Sequence, residues 1–390
     1  MRYLLAPDSF KESAGAESVA RAMSRGIHST DPSAEVRMLP LSDGGEGLTS
    51  ALVQATHGHI DTAAAHDASG NEIQASFGFL GSSDASTAVI ELAAASGIER
   101  IPQDRRDPMS ASTFGTGELI MAAIKAGARR IILGLGGSAS TDGGTGLATA
   151  CGYRFLDEQG NSLESGGGSL SQLHAIDARN VNREAVSIPI VIASDVVNPL
   201  TGPHGAARVF APQKGATAAQ IDKLDMGLAH FSEHIKSFNG RDVQGIAGAG
   251  AAGGSGAGLL GLFNATIQPG IELVLDLVRG RDACQWADVV ITGEGSIDAQ
   301  TPFGKVPSGI AKLAQGEGKP CIAIGGQIKL DESDRKRLRD AGIVASFGIA
   351  PGAADLKSLL ATTEENVEAS CASIAALLKT RPCGASHDQH

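Results

Sequence analysis

Hydrophobic and polar residues alternate regularly at the start of the chain. Residues 3–6 are apolar and predict a strand, and residues 13–28 repeat apolar positions at the spacing of a helix. Residues 35–41 predict a second strand and residues 48–56 a second helix. Strands that alternate with helices in this way form a parallel sheet with helices on its faces.

The pattern changes after Gly58. Residues 60–66, 73–80 and 87–92 are strand-like, and the turn between the last two lies at 81–84. Three strands in succession predict a meander, so a second domain begins near residue 59. It continues with predicted strands at 130–135 and 188–193 and predicted helices at 117–126 and after Gly144.

Alternation of strands and helices returns from residue 287. Strands are predicted at 288–292, 320–325 and 343–349, and helices at 306–315, 331–341 and 356–378. The simplest architecture has two α/β domains. Residues 1–58 and 285–381 form a discontinuous doubly wound (Rossmann-like) parallel-sheet domain, residues 59–284 form an inserted mixed α/β domain, and residues 382–390 form a flexible tail. A cleft between the two domains is the expected ligand site.

Composition narrows the class of protein. The 390 residues are 42% hydrophobic and 19% charged, which excludes a disordered chain. The formal net charge of −11 and the absence of long basic runs argue against nucleic acid as a partner, whereas small anionic ligands remain open. The 51 glycines cluster between apolar runs, so many tight loops are expected.

Cysteine usage predicts a cytoplasmic location. The five cysteines are widely spaced and form no CxxC pair, as expected for free thiols in a reducing compartment. The longest uncharged stretch, residues 243–271, contains Asn264 and Pro269 and predicts a glycine loop that enters a buried helix. No membrane segment is therefore expected. A homo-oligomer is compatible with the sequence, which does not fix the number of chains.

Four segments place acidic or hydroxyl residues beside glycines at predicted strand ends, which face the ligand in a doubly wound sheet. In the first, residues 6–11, Asp8 and Lys11 are spaced to address a metal and a phosphate, although Asp8 and Ser9 can equally begin the next helix. In the second, residues 42–47, Asp43 and Glu46 resemble a capping box. The glycines between them favour instead an oxyanion site made of exposed amides.

The third segment, residues 134–144, lies between a predicted strand and a predicted helix. Its glycines alternate with hydroxyl residues, as in a loop that binds phosphate through N–H and O–H groups. A mobile loop is the alternative. The fourth segment, residues 291–298, holds Glu294 and Asp298 four positions apart, a pair suited to Mg²⁺ if the segment is more than a plain turn.

A fifth segment, residues 193–215, places Asp195 at the end of an apolar strand, and Asp195 is interpreted as a general base. Two other patterns are set aside. Gly248, Gly250 and Gly253 match GxGxxG, but no buried strand precedes them. The chain also lacks a Walker A motif, a histidine cluster for zinc and the GxSxG motif of α/β-hydrolases.

These segments resemble, in order along residues 1–380, those of the type 1 glycerate kinase family. The matching motifs are APDSFKES, SDGGEG, ELAAASGI, TFGTGELI, GLGGSASTDGG, SDVVNPLTGPHGAARVFAPQKGA, GAGAAGG, PGIELVLD and ITGEGSIDAQT. The resemblance implies a two-domain α/β enzyme that uses ATP and Mg²⁺ to phosphorylate D-glycerate, with 2-phosphoglycerate as the product in bacterial members. Two departures are visible: Ser140 and Thr141 precede Asp142 in a loop that resembles GGSATNDGG, and Ser296 replaces the arginine of ITGEGRxDxQT.

Roles can then be assigned for phosphoryl transfer, which needs positioning, a metal and cations more than covalent chemistry. Asp195, or failing it Asp8, accepts the hydroxyl proton, and Lys11 holds the transferred phosphate or the substrate carboxylate. Predicted phosphate ligands are Gly136, Gly137, Ser138, Lys214 and Lys305. Predicted substrate ligands are Ser9, Asp43, Gly44, Gly45, Asn198 and Thr116, and the pool of Mg²⁺ ligands is Asp43, Glu46, Glu294 and Asp298.

Three alternative functions remain at this stage. The first is a kinase that forms the 3-phosphate or acts on a related small hydroxy acid, because the size of the pocket is not visible in the sequence. The second is a nucleotide-binding regulator without turnover, which only the Ser296 departure supports. The third is a flavin or nicotinamide oxidoreductase.

Overall fold

The computed structural model describes residues 1–81 and 86–380. Most of the predicted turn at 81–84, the predicted tail at 382–390 and Cys383 lie outside the described residues. The chain divides into two compact units. The first contains Met1–Ser42 and the described residues from Val274 onward, and the second is Asp43–Leu273.

The secondary structure is an almost continuous succession of short strands and helices. The strands are β1 (Arg2–Pro7), β2 (Glu35–Met38), β3 (His59–His66), β4 (Glu72–Phe79), β5 (Thr87–Glu91), β6 (Arg130–Gly134), β7 (Arg154–Leu156), β8 (Ala175–Asp177), β9 (Ile190–Ala193), β10 (Ala265–Gln268), β11 (Val289–Asp298), β12 (Cys321–Lys329) and β13 (Ile343–Gly348). The α-helices are α1 (Ala16–Thr30), α2 (Leu48–Thr56), α3 (Ala93–Ser96), α4 (Phe114–Lys125), α5 (Thr145–Ala150), α6 (Arg183–Ser187), α7 (Ala206–Phe210), α8 (Ala218–Asn239), α9 (Ala251–Leu262), α10 (Gly270–Leu277), α11 (Gly280–Trp286), α12 (Val306–Gly316), α13 (Glu332–Asp340), α14 (Leu356–Ala361) and α15 (Thr363–Lys379).

The first unit is built on a five-stranded sheet in the order β13-β12-β11-β1-β2. Every neighbouring pair is parallel. The apolar run of β1 is fully buried at Tyr3, Leu4 and Leu5, as expected for a strand covered on both faces. The predicted doubly wound parallel sheet is therefore confirmed.

Strand β11 is longer than the sequence pattern indicates. The predicted strand ends at residue 292, but β11 continues to Asp298 because β12 stays paired with it as far as the match of Asp298 with Lys329. The plain-turn interpretation of residues 291–298 is thus wrong. Because side chains alternate along a strand, Glu294, Ser296 and Asp298 point to the same face.

The second unit contains a mixed six-stranded sheet in the order β10-β9-β6-β5-β4-β3. The pairs from β10 to β5 are parallel, whereas β5-β4 and β4-β3 are antiparallel. The antiparallel part is the predicted meander, and the whole is the expected mixed α/β unit. A separate two-stranded sheet pairs β7 with β8.

Helix α2 belongs to the second unit, although the sequence pattern grouped residues 48–56 with the first. A Cβ on Gly78 of β4 would lie 2.4 Å from Val53 and 2.9 Å from Thr49, so the helix packs directly on the meander. The units consequently divide after Ser42 and after Leu273, whereas the boundaries predicted from the sequence fall after residues 58 and 284.

The uncharged stretch at 243–271 forms a glycine-rich turn region followed by helix α9, as predicted, and then by strand β10, which the sequence pattern did not indicate. Ten of the twelve residues of α9 are buried. No helix in residues 1–81 and 86–380 is both long and apolar enough to span a lipid bilayer.

Helices α1 and α15 of the first unit approach so closely that Gly26 has no room for a side chain. A Cβ on Gly26 would lie 2.1 Å from the carbonyl oxygen of Glu368. We predict that Gly26→Ala lowers the free energy of unfolding by about 1–3 kcal/mol, because the two helices must separate. The measurement is urea unfolding followed by circular dichroism.

The matched control is Gly316→Ala at the end of α12, where a Cβ meets nothing within 4 Å. This substitution should leave stability unchanged or raise it by up to about 1 kcal/mol, because alanine favours the helix. Equal effects of the two substitutions would show that the contact between α1 and α15 is not tight.

Candidate active site

Three of the predicted segments meet at the carboxyl edge of the second unit's sheet. A Cβ on Gly136 would lie 2.7 Å from the Cα of Gly45, and a Cβ on Gly134 would lie 2.7 Å from the carbonyl oxygen of Gly44. Gly44 itself has φ +95° and lies against the carbonyl of Ala193 at the end of β9. Only glycines allow this approach of segments 42–47, 134–144 and 193–198.

The loop that precedes α2 is fixed by a residue that sequence reasoning missed. The carboxylate of Glu91, at the end of β5, accepts the amide N–H groups of Gly47 (3.0 Å) and Thr49 (2.7 Å). Asp43 accepts the amide of Gly45 at 3.2 Å and does not cap the helix. The capping-box interpretation is therefore wrong, and the position of Glu91 at a predicted strand end was the available signal.

The loop from Gly136 to Gly144 is anchored by the carboxylate of Asp142, which is fully buried. It accepts hydrogen bonds from the Thr113 amide (2.9 Å), the Thr113 hydroxyl (2.7 Å), the Gly144 amide (3.1 Å) and the Gly146 amide (3.2 Å). Hydrogen bonds to a buried carboxylate hold it firmly. The loop is thus a fixed structure, and Thr113 is a second residue that the sequence did not indicate.

Lys214 lies inside this loop and is only 2% exposed. Its ammonium group donates to the Ser138 hydroxyl at 2.8 Å and also to the Ser140 carbonyl oxygen. Burial lowers the pKa of Lys214 to about 7, against the opposing effect of the Asp142 charge. The prediction that Lys214 faces a phosphate directly therefore gains no support from its position.

Two hydroxyl groups of the same loop have no hydrogen-bond partner among the described residues. They are Ser140 Oγ and Thr141 Oγ1, and both residues are fully buried. An unsatisfied buried hydroxyl costs about 1–3 kcal/mol. Buried polar groups are nearly always satisfied in folded proteins, so these two hydroxyls are candidates to bond a ligand, an ion or an ordered water molecule.

Asp195 follows β9 and has one engaged and one unengaged carboxylate oxygen. Its Oδ1 accepts the amide N–H of Gly270 at 3.1 Å, whereas Oδ2 is buried without a partner among the described residues. Burial, reinforced by the charge of Asp43, raises the pKa of Asp195 to about 6. A carboxylate with a free oxygen and a raised pKa is suited to accept a proton near neutral pH.

Two predicted substrate ligands are engaged in the fold. Thr116 is fully buried, and its hydroxyl bonds to Ser96 (2.9 Å) and to the carbonyl of Leu92 (3.3 Å). The side-chain amide of Asn198 donates to the carbonyl of His204 at 2.8 Å and shapes the loop after Asp195. Neither position supports a direct contact with substrate.

The glycines of the GxGxxG pattern pack the loops together instead of binding a nucleotide, and no strand immediately precedes them. A Cβ on Gly253 would lie 2.1 Å from the Ser140 carbonyl oxygen, and one on Gly250 would lie 2.3 Å from the Pro199 carbonyl oxygen. Next to them, Ala252 has φ +50°, which is uncommon for a residue with a side chain. This segment therefore supports both the loop after β6 and the loop after β9.

In the first unit, the predicted residues follow β1 and occupy β11. Asp8 accepts the amide of Ser9 at 2.7 Å and donates its own amide to the carbonyl of Gly293 at 2.8 Å. Lys11 is exposed, and a Cβ on Gly295 would lie 3.4 Å from its amide nitrogen. The loop after β1 and the glycines of β11 are thus neighbours, as the sequence pattern predicts.

Glu294 and Asp298 share a lysine on the face that they have in common. Lys305 Nζ lies 3.1 Å from Glu294 and 3.8 Å from Asp298. The Thr301 hydroxyl donates to Glu294 at 2.6 Å, and Ser296 donates to Asp298 at 3.4 Å. Burial raises the pKa of Glu294, and the bonds from Thr301 and Lys305 oppose that effect.

Within the described ranges, no group of three or more His, Cys, Asp or Glu side chains is placed to hold a metal ion. Mg²⁺ on a nucleotide commonly takes only one or two carboxylates, with phosphates and water completing the shell. The carboxylates of Asp43, Glu46, Glu294 and Asp298 have the required oxygen chemistry. At Glu294 and Asp298, however, the ammonium group of Lys305 already lies where a metal ion would bind.

Comparison with known proteins covers nearly the whole chain. Residues 3–379 match the Glycerate kinase family. The glycerate kinase of Bacillus subtilis (strain 168) is 45% identical over 379 residues, which cover 97% of this chain and 98% of that protein. The glycerate 2-kinase of Escherichia coli (strain K12) is 41% identical over 378 residues, with 97% and 98% covered.

A solved structure agrees with the fold. A crystal structure from Salmonella typhimurium LT2, provisionally named glycerate kinase 2, superposes with a TM-score of 0.85 at 42% identity, covering 97% of this chain and 98% of that one. The family match, these relatives and the two α/β units agree with the motifs in the sequence. The chain belongs to the glycerate kinase family.

Proposed function

We propose that this protein is a glycerate 2-kinase, which transfers the γ-phosphate of ATP to the 2-hydroxyl of D-glycerate and forms 2-phosphoglycerate and ADP. Membership of the family supports the kinase reaction, and the name of the E. coli relative supports the 2-position. One observation carries the proposal: the unengaged Oδ2 of Asp195 lies at the same sheet edge as the glycine-rich loop after β6.

In the second unit, the amides of Gly136 and Gly137 and the hydroxyl of Ser138 bind the ATP phosphates. Asp195 Oδ2 accepts the proton of the substrate 2-hydroxyl while the hydroxyl oxygen forms a bond to the γ-phosphorus. The bond from the γ-phosphorus to the bridging oxygen breaks, and ADP leaves with the electron pair. Gly44 and Gly45 bring the loop before α2 close to the end of the strand that precedes Asp195, so that their backbone groups can bind the substrate there.

In the first unit, Lys11 binds the transferred phosphate or the carboxylate of glycerate, since it is exposed directly after β1. Asp8 and Ser9 form the turn that presents it. Lys305, held by Glu294 and Asp298, is the predicted phosphate ligand of this unit. Fixed cations of this kind stabilise the charge that spreads over the phosphoryl oxygens in the transition state.

Mg²⁺ fits the loop before α2 best, because that loop lies against the glycine-rich loop after β6, whereas Glu294 is paired with Lys305. We assign it to Asp43 and Glu46, with Glu294 and Asp298 as the alternative pair. When bound, the ion neutralises phosphate charge.

The relatives from B. subtilis and E. coli are named glycerate kinase and glycerate 2-kinase, and each aligns with 97% of this chain. These names do not favour the other functions left open by the sequence. A cytoplasmic location remains part of the proposal. Cys151, Cys284, Cys321 and Cys371 are free and buried, as expected in a reducing compartment. A homo-oligomer remains a prediction.

We predict that the purified protein with ATP, Mg²⁺ and D-glycerate gives a signal when coupled to enolase without phosphoglycerate mutase, because enolase accepts only 2-phosphoglycerate. The same mixture without D-glycerate is the control. A signal that requires the mutase would show that the 3-phosphate is formed. ATP binding without any release of ADP would favour a regulator.

We predict that kcat/KM for D-glycerate rises with pH up to about pH 6 and then levels off, because Asp195 must lose its proton to act as a base. Asp195→Asn should lower kcat by about 100-fold or more and remove this rising limb. Initial rates between pH 5 and pH 8 test both points.

The control is Asp157→Asn. Asp157 also lies in the second unit and accepts two backbone amides, those of Gln159 and Asn161. It should retain the wild-type rate and pH profile. The role of Asp195 as the base would be contradicted if Asp195→Asn kept a nearly normal kcat, or if its kcat/KM still rose with pH as in the wild type.

We predict that Asp43→Asn raises the Mg²⁺ concentration needed for half-maximal rate by about tenfold or more, since a carboxylate ligand is lost. Asp67→Asn, in the turn between β3 and β4, serves as the control for loss of a negative charge. If Glu294→Gln shifts the Mg²⁺ dependence and Asp43→Asn does not, the metal belongs to the alternative pair.

A further inference from the structure

The ammonium group of Lys214 binds the loop after β6 from its inner side. Lys214 ends the short turn Pro212–Lys214 between α7 and α8, and its Nζ reaches Ser138 and Ser140 across more than 70 residues of sequence. An ammonium group has three hydrogens and no lone pair. At both contacts, therefore, the lysine donates and the loop oxygen accepts.

This direction of donation determines where the Ser138 hydroxyl hydrogen can point. Because Ser138 Oγ accepts from Lys214 at 2.8 Å, its own hydrogen must point away from the lysine. Ser138 follows Gly137, which is exposed and has φ +70°. The serine thus keeps one O–H donor for an acceptor outside the loop, and phosphate oxygens are strong acceptors.

The second contact limits movement of the loop. The Ser140 carbonyl oxygen accepts a hydrogen bond from Lys214 on one side. On another side it faces Gly253 of α9 so closely that a Cβ on Gly253 would lie 2.1 Å from it. The loop is therefore in contact with α9 and is drawn toward Lys214 at the same residue. Without the ammonium group, the Ser140 carbonyl would lose this hydrogen bond.

We propose that Lys214 is a positioning residue: its protonated ammonium group fixes residues 138–140 and orients the Ser138 hydroxyl toward the ATP phosphates without touching ATP itself. The inference rests on the proposed function, since it takes ATP as the ligand of this loop. It replaces the direct phosphate contact predicted from the sequence. Nearly complete burial of the side chain favours the indirect role.

The protonation state of Lys214 changes with pH near neutrality. Burial disfavours its charge and lowers its pKa to about 7, and Asp142 is the charged group that acts on it in the opposite direction. Bound phosphate near Ser138 adds negative charge, so ATP should bind more tightly to the protonated form. By linkage, ATP affinity should then fall as pH rises above about 7.

The test is a double-mutant cycle on ATP binding, measured by calorimetry at pH 7 with Mg²⁺ and without glycerate. Lys214→Met and Ser138→Ala should each weaken ATP binding by about tenfold. The double variant should bind ATP with the same affinity as the single variant that binds it less tightly. Additive losses, about 100-fold in the double variant, would show that Lys214 contacts ATP independently and would overturn the inference.

The pH dependence gives a second readout. From pH 7 to pH 9, the dissociation constant of ATP for the wild type should rise, by at most tenfold per pH unit for one proton. It should be flat in Lys214→Met and reduced in Ser138→Ala, where only the direct attraction between the ammonium charge and the phosphates remains. A pH dependence of undiminished size in Ser138→Ala would show that Lys214 does not act through the serine.

A third measurement needs neither ATP nor glycerate. Because the unfolded chain binds a proton that folded Lys214 releases above about pH 7, the unfolding equilibrium constant of the wild type should fall between pH 7 and pH 9, by at most tenfold per pH unit. Lys214→Met should remain folded and lack this contribution. Lys236→Met, a lysine paired with Asp242 at the surface, should retain it.

These arms separate the two proposals. If the wild type phosphorylates glycerate but the cycle is additive, only the role of Lys214 fails. If the wild type neither binds ATP nor releases ADP, the proposed function fails and the inference fails with it. If unfolding of Lys214→Met retains the wild-type pH dependence, the ammonium group is not buried as described.

Discussion

The arrangement of the second unit's loops depends on one buried carboxylate. Asp142 receives hydrogen bonds from Thr113, Gly144 and Gly146, and so joins the residues before α4 to those before α5. Removing a carboxylate from water costs several kcal/mol unless such donors replace the lost solvation. The same negative charge makes the protonated form of Lys214 tolerable in the interior. Asp142 and Lys214 therefore stabilise the same conformation of the loop after β6.

Absence of side chains is the second constraint on this geometry. Gly44, Gly136 and Gly253 each stand where a Cβ would overlap the backbone of a neighbouring loop. The backbone amides and carbonyls of three segments can thus approach one another more closely than substituted residues allow. This is why a chain with 51 glycines is nonetheless well packed at the edge of its second sheet.

The sequence was sufficient for the features that follow from topology. Parallel strands bring their carboxyl ends to one edge of each sheet, so the placement of Asp8 after β1 and that of Asp195 after β9 could be predicted from the strands that precede them. The burial of Lys214 could not, because its contact with Ser138 spans 76 positions and depends on how α7 and α8 pack. Likewise, Glu91 caps α2 across 42 positions, so its place at a predicted strand end marks it as a candidate but does not show which amides it binds.

The two unpartnered hydroxyls of Ser140 and Thr141 have a consequence for protein engineering. Alanine and valine at these positions would retain most of the packing and remove buried groups that lack hydrogen bonds, so a screen for heat resistance alone would favour them. Thermostabilised variants that retain both hydroxyls would be the better starting point for an industrial catalyst.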